Sequence, residues 1–189
     1  PVFTGAQGTG KSTFMYKFIE PVSELSSPTD FKQLTDDRNI SLFANSVLIL
    51  DEMGFAQKAE IETVKSIMTA NELTRRPMRQ NSSVLIKQNA TLIGASNKEI
   101  EQLIRDETGL RRFIGIRFKN SPEWDNIKDI DFYNIWRSVD EDSEDPTINS
   151  IEEIRTVQEM ARCNTPCEMW VKTLKKKDSE KKTATNWYS

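Results

Sequence analysis

Histidine is missing from this chain, and cysteine occurs only at Cys163 and Cys167. With no imidazole, Ser/His and Cys/His hydrolase chemistry is excluded, and two thiols alone argue against a four-ligand zinc site. Separated by Asn164, Thr165 and Pro166, those thiols read as reduced side chains. No apolar run approaches the roughly 20 residues of a bilayer span, and no charged-then-apolar leader opens the chain, so the expected location is cytoplasmic. Charge of one sign is also lacking: 26 basic against 29 acidic residues leave a net −3. No global positive field therefore marks nucleic acid as a partner, and any DNA contact has to come from local patches.

What is present is enough for a folded protein. At 189 residues the expectation is one main domain with a hydrophobic core and a smaller appendage. The apolar residues make up only 37% but are clustered, unlike the even dilution of disordered chains.

The densest signal lies at the start. Gly5-Ala6-Gln7-Gly8-Thr9-Gly10-Lys11-Ser12-Thr13 satisfies the phosphate-loop pattern G-x-x-x-x-G-K-[ST], between an apolar strand end and a helix. Glycines let the backbone curl until successive N–H groups face phosphate oxygens, and the helix beginning near Lys11 adds its positive end. Lys11 is expected to reach the β and γ phosphates of ATP, and Ser12 to hold Mg²⁺.

Val47-Leu48-Ile49-Leu50 feeds Asp51 and Glu52 to the end of a buried strand. Asp51 is the expected second metal ligand, and Glu52 the group that orients or deprotonates an attacking water. Thr91 to Ala95 repeats the design and delivers Asn97, either to the γ-phosphate or simply as a cap on the next helix. Ahead of the last strand, Arg111 and Arg112 form a basic pair in which one side chain can act as an arginine finger on a neighbouring subunit and the other can hold structure.

The coarse pattern predicts a strand ending at Thr4, a helix over Lys11 to Ile19, and an irregular polar stretch from Ser23 to Asp37 with a short helix near Phe31 to Leu34. A helix follows over Ala59 to Glu72 with Ile61, Val64, Ile67 and Met68 in one stripe. Arg75 to Gln88 reads as a hairpin with a polar tip at Asn81, Ser82 and Ser83. Further strands are expected at Thr91 to Ala95 and Phe113 to Phe118, with a short helix over Glu99 to Arg105. Alternating strands and helices predict an α/β fold with a mainly parallel sheet. Helices are expected over Asp129 to Asp140 and Ile151 to Arg162, before a lysine-rich tail. Pro1 leaves little room for the strand before the loop, so a fragment of a longer protein is expected. The division is 1–121 for the nucleotide core and 122–189 for a helical extension.

GAQGTGKSTF, EIETVKSIMTANELTRRPMRQ, TLIGASN and RDETGLRRF, in that order, resemble the helicase-like ATPases of the virulence-associated protein E family, near the superfamily 3 helicases of phages and mobile elements. The last stretch is similar to that family's D-x-T-G-x-R-R-F pattern. The resemblance implies a three-layer AAA+-like P-loop core. It also implies a hexameric ring with ATP between subunits, translocation on single-stranded DNA, and in many relatives a fused primase upstream. Carried over by position, Lys11, Ser12, Asp51, Glu52 and Asn97 form the nucleotide site, and Arg111 or Arg112 acts in trans. Arg75, Arg76, Arg79 and Lys87 fall on the DNA-contacting segment, where cationic groups beside a polar hairpin can track phosphates. Two alternatives stand beside the DNA-dependent motor: a P-loop small-molecule kinase, and a nucleotide-gated binding module without turnover.

Overall fold

The computed structural model describes residues 1–53, 58–103, 110, 112–121, 124–140, 142–145, 147–160 and 167–171. Its centre is a five-stranded sheet built from β1 (Val2–Thr4), β2 (Ser26–Thr29), β3 (Val47–Leu50), β6 (Thr91–Ser96) and β7 (Gly115–Arg117), in the spatial order β2-β3-β6-β1-β7. Every pairing in this sheet is parallel. A second, antiparallel pair joins β4 (Glu72–Arg75) to β5 (Val84–Lys87).

Side chains alternate across a strand, so each central strand supplies both faces. Phe3, Ile49, Ile93 and Ala95 point to one side, where they pack with Met15 and Ile19 of α1 (Lys11–Ile19). Val2, Leu48 and Leu50 point to the other, against Phe31 and Leu34 of α2 (Phe31–Thr35) and Ile61, Val64 and Ile67 of α3 (Lys58–Thr69). Covering both faces explains why β3 is an unbroken apolar run. The apolar stripe expected on α3 is the one buried, with Met68 half-buried at its margin.

Several boundaries differ from expectation, among them the strand expected over Phe113 to Phe118, of which only Gly115–Arg117 forms. Ser26–Thr29 is a strand within the stretch read as irregular, with Pro28 opposite Ile49. It lies at the sheet edge and needs a partner on one side only, so a proline costs it no ladder bond on the open side. Helix α3 ends at Thr69, and Glu72, expected to be helical, opens the hairpin instead. Where one helix was expected over Asp129 to Asp140, a separate helix, α5 (Trp124–Lys128), precedes that span, and α6 (Phe132–Arg137) covers only its middle. The second is started by Asp131, whose carboxylate accepts from the Asn134 amide at 3.0 Å.

Helix α4 (Ile100–Leu103) and α7 (Ile151–Met160) lie where helices were expected. The expected ends of those helices at Arg105 and Arg162, the RDETG stretch, Arg111, Cys163 and the lysine tail lie outside the described residues. The helical segment is docked on the core. Phe132 meets Phe14 edge-on at 5.6 Å, and Trp136 stands 5.3 Å from Phe18 while its indole N–H donates to the Phe18 carbonyl at 2.6 Å. Among the described residues, no helix is long and apolar enough to cross a membrane.

Candidate functional site

Parallel pairing sends the carboxyl ends of β1, β3 and β6 to the same edge of the sheet, the edge where open α/β sheets bind ligands. The register aligns Thr4 with Ser96 and Leu50 with Gly94, so the residues just beyond these strands converge. They are the glycine loop, Asp51 with Glu52, and Asn97.

The glycine loop needs backbone shapes that side chains resist. Gly5, Gly8 and Gly10 have φ of 140°, 81° and 85°. Gly10 is the N-cap of α1, in the left-handed region, and no side chain caps the helix there. The opening amides of α1 therefore face the cleft with the positive end of the helix behind them, an arrangement suited to an anion.

Lys11 is 5% exposed and turned back over this loop. Its ammonium donates to the Gly5 carbonyl at 2.9 Å, the Ala6 carbonyl at 2.7 Å, Thr9 Oγ1 at 3.3 Å and Asn97 Oδ1 at 3.1 Å. All four acceptors are neutral. Burial lowers its pKa from the ordinary lysine value, and the negative charge of Asp51 opposes that shift. Asn97, expected either to cap a helix or to face the site, has its side-chain oxygen on Lys11. Ser96 Oγ accepts the amide of Lys98 at 2.9 Å.

Ser12 Oγ donates to Asp51 Oδ1 at 2.8 Å. Two hard oxygen donors from different elements thus meet within hydrogen-bond distance, the kind of pair that Mg²⁺ accepts. Next to Asp51, Glu52 has φ of 62°, an uncommon conformation for a side chain branching from an ordinary Cβ. Gly94 keeps the strand behind clear, because a Cβ there would collide with Met53 Sδ.

These groups line one open cleft of about 310 Å³, which includes Gln7, Lys11, Ser12, Thr13, Asp51, Glu52 and Asn97. The chemistry this arrangement can perform is anion capture beside an oxygen-ligated cation. Two aromatic side chains were not singled out from the sequence. Trp124 joins the cleft wall from α5, and Tyr16 lies one turn along α1 from Ser12. Burial raises the Tyr16 pKa, and so does the charge of Asp51. Nothing local in the sequence marks either one, since only folding brings residue 124 to the loop.

Arg112 does not enter this cleft. It is half-buried beside Phe113 at a small cavity under Leu50 and Val64, and its Nε is buried without a hydrogen-bond partner. Nor do the four cations expected on DNA behave alike. Arg76, Arg79 and Lys87 are exposed, with Arg76 Nε donating to the Gln80 carbonyl at 3.2 Å across the hairpin turn. Arg75 is a correction: it is 4% exposed, donates to Asp37 at 3.0 Å and to the Leu34 carbonyl at 3.1 Å, and lies 4.9 Å from the centre of the Phe43 ring. Its stem and guanidinium tie the hairpin to the core, so this side chain does not face solvent or DNA.

A family model for the virulence-associated protein E-like domain matches residues 1–164. The chain belongs to this family. No match emerges from the curated proteins. This virulence-associated protein E-like domain is also similar to two solved structures, each described as the A form apo structure of the NrS-1 C-terminal region. One is 22% identical with a TM-score of 0.50, covering 86% of this chain and 35% of that one. The other, spanning residues 305–718, is 23% identical with a TM-score of 0.46, covering 82% and 32%. The domain thus spans about a third of the length of those chains.

Proposed function

We propose that this virulence-associated protein E-like domain is the P-loop ATPase core of a helicase or translocase that acts on single-stranded DNA during replication of a phage or mobile element. The observation that carries the reading is Lys11. Its buried ammonium is held by neutral oxygens alone, at the uncapped start of a helix and beside the Ser12–Asp51 pair. A buried cation whose direct hydrogen-bond partners are all neutral is costly, even with the charge of Asp51 nearby. Phosphate oxygens would give it a directly bonded anionic partner.

In this reading the loop from Gly5 to Thr13 grips the phosphates of ATP, and Ser12 and Asp51 are the chain's ligands for Mg²⁺. Bound magnesium would polarise the phosphoryl oxygens and screen their charge. Glu52 orients and deprotonates water. Asn97, already on Lys11, reports the state of the terminal phosphate. Arg112, outside its own cleft, or Arg111 serves a neighbouring subunit of a hexameric ring. Arg76, Arg79 and Lys87 track the DNA backbone. A small-molecule kinase leaves Glu52 and Asn97 without a task, and a binding module leaves Glu52 strained for no purpose.

The test is ATP hydrolysis by the full-length protein with and without single-stranded DNA, comparing wild type with Lys11→Ala, Glu52→Gln and Arg112→Ala. DNA-stimulated turnover lost in all three supports the motor. A trans arginine supplies on the order of a thousandfold or more. Turnover untouched by Glu52→Gln, or wild-type binding without turnover, sinks it.

A further inference from the structure

Helix α5 places a tryptophan where phosphate chemistry requires none. The six-membered ring of Trp124 lies against the glycine loop: a Cβ on Gly10 would stand 2.9 Å from Cη2 and 3.1 Å from Cζ3. Any side chain at position 10 would therefore push the indole away, a second reason for glycine beside its positive φ. Yet Trp124 is 42% exposed and lines the same cleft as Lys11, Ser12, Thr13 and Asp51. Part of the ring packs on the loop and part stays open.

The position is held from the side. Just downstream, α6 is fastened to α1 through Phe132 and through the Trp136 indole bond to the Phe18 carbonyl. The helix whose start forms the cleft thus anchors the segment that brings Trp124 to it. The described residues lining the cleft are otherwise small or polar, and Trp124 is the one aromatic among them.

We propose that Trp124 is the stacking platform for the base of a bound nucleotide, which makes the cleft a nucleoside triphosphate site and not a site for bare polyphosphate. This rests on the phosphate-cleft reading above. A phosphate chain gripped by main-chain amides leaves the organic end of the molecule beyond them, and an indole face is the apolar surface available there. Aromatic stacking accepts any base, because every base has a π-face. Trp124 therefore selects for nucleotides as a class without choosing among them.

Calorimetry on the full chain, with Mg·ATP and with inorganic tripolyphosphate, tests this for wild type, Trp124→Ala and Trp124→Phe. The alanine variant is expected to bind ATP roughly five- to a hundredfold more weakly, with tripolyphosphate affinity unchanged and phenylalanine restoring most of the loss. Unchanged tripolyphosphate binding also certifies an intact loop. Unchanged ATP affinity in Trp124→Ala overturns the proposal. So does a parallel loss of both ligands, which would make the ring a support for the loop, and so does a parallel gain, which would make it an obstruction. Wild type binding neither ligand removes the phosphate-cleft reading itself, and this proposal with it.

Discussion

Ser12 Oγ and Asp51 Oδ1 are 2.8 Å apart, joining the first turn of α1 to the end of β3. A cation shared by these oxygens would replace that hydrogen bond. Outer-sphere partners of a metal site are worth roughly 10–100-fold in affinity or activity, so loss of a direct carboxylate is expected to exceed this. Asp51→Asn is accordingly expected to abolish Mg²⁺-dependent hydrolysis while leaving the melting temperature near that of wild type. A fully active Asp51→Asn protein would remove Asp51 from the metal site.

Glu52 makes a different prediction, because its backbone is strained. Left-handed geometry costs an ordinary residue roughly 1–2 kcal/mol, and glycine is spared most of this. Glu52→Gly is expected to gain up to about 1 kcal/mol in denaturant unfolding, yet to lose turnover as completely as Glu52→Gln. Strain kept for function requires both results, and an active glycine variant contradicts it.

For the hairpin, the buried arginine and the exposed ones are expected to separate. Arg75→Ala removes a bond to a buried carbonyl, a cation–π contact and a packed stem, a loss of roughly 2–3 kcal/mol in stability. Arg76→Ala and Arg79→Ala are expected to leave stability within about 0.5 kcal/mol. Each should lower the salt dependence of single-stranded DNA binding by roughly one phosphate contact. A salt slope indifferent to both would place the DNA elsewhere.

Asp36 supplies the pH test. Two guanidinium bonds from Arg38, at 2.9 Å each, are the main reason its pKa falls to about 2, and the Arg38 amide adds to them. A depressed carboxyl pKa contributes stability above the unfolded value, and that contribution is lost as pH falls toward the folded one. The Asp36 carboxyl resonance is expected to titrate near 2 in wild type and to move up toward the ordinary aspartate value, without reaching it, in Arg38→Ala, where the amide of residue 38 still donates. An unmoved midpoint refutes the assignment.

Much of the fold was legible because its signals are local. The run from Val47 to Leu50 is apolar at every position, as only a strand covered on both faces requires, and the stripe on α3 follows helical spacing. β2 was not legible: Ser26, Ser27, Pro28 and Thr29 carry no apolar pattern and form a strand only because β3 offers an open edge. Arg75 misled for a similar reason. Its neighbours Arg76 and Arg79 are solvated, and nothing in the sequence tells which cation of a cluster turns inward to Asp37 and Phe43.

The glycine spacing, the Lys-Ser pair and the acids after an apolar run belong to the sequence alone, because phosphate capture depends on main-chain shape and on a few adjacent side chains. Tertiary structure decided which distant groups meet them. Parallel pairing brings Asn97 onto Lys11 and Asp51 onto Ser12, and the docking of α6 on α1 carries Trp124 to Gly10. Such meetings depend on how strands order themselves and which faces pack, and packing is a property of the whole chain that no short stretch of residues encodes.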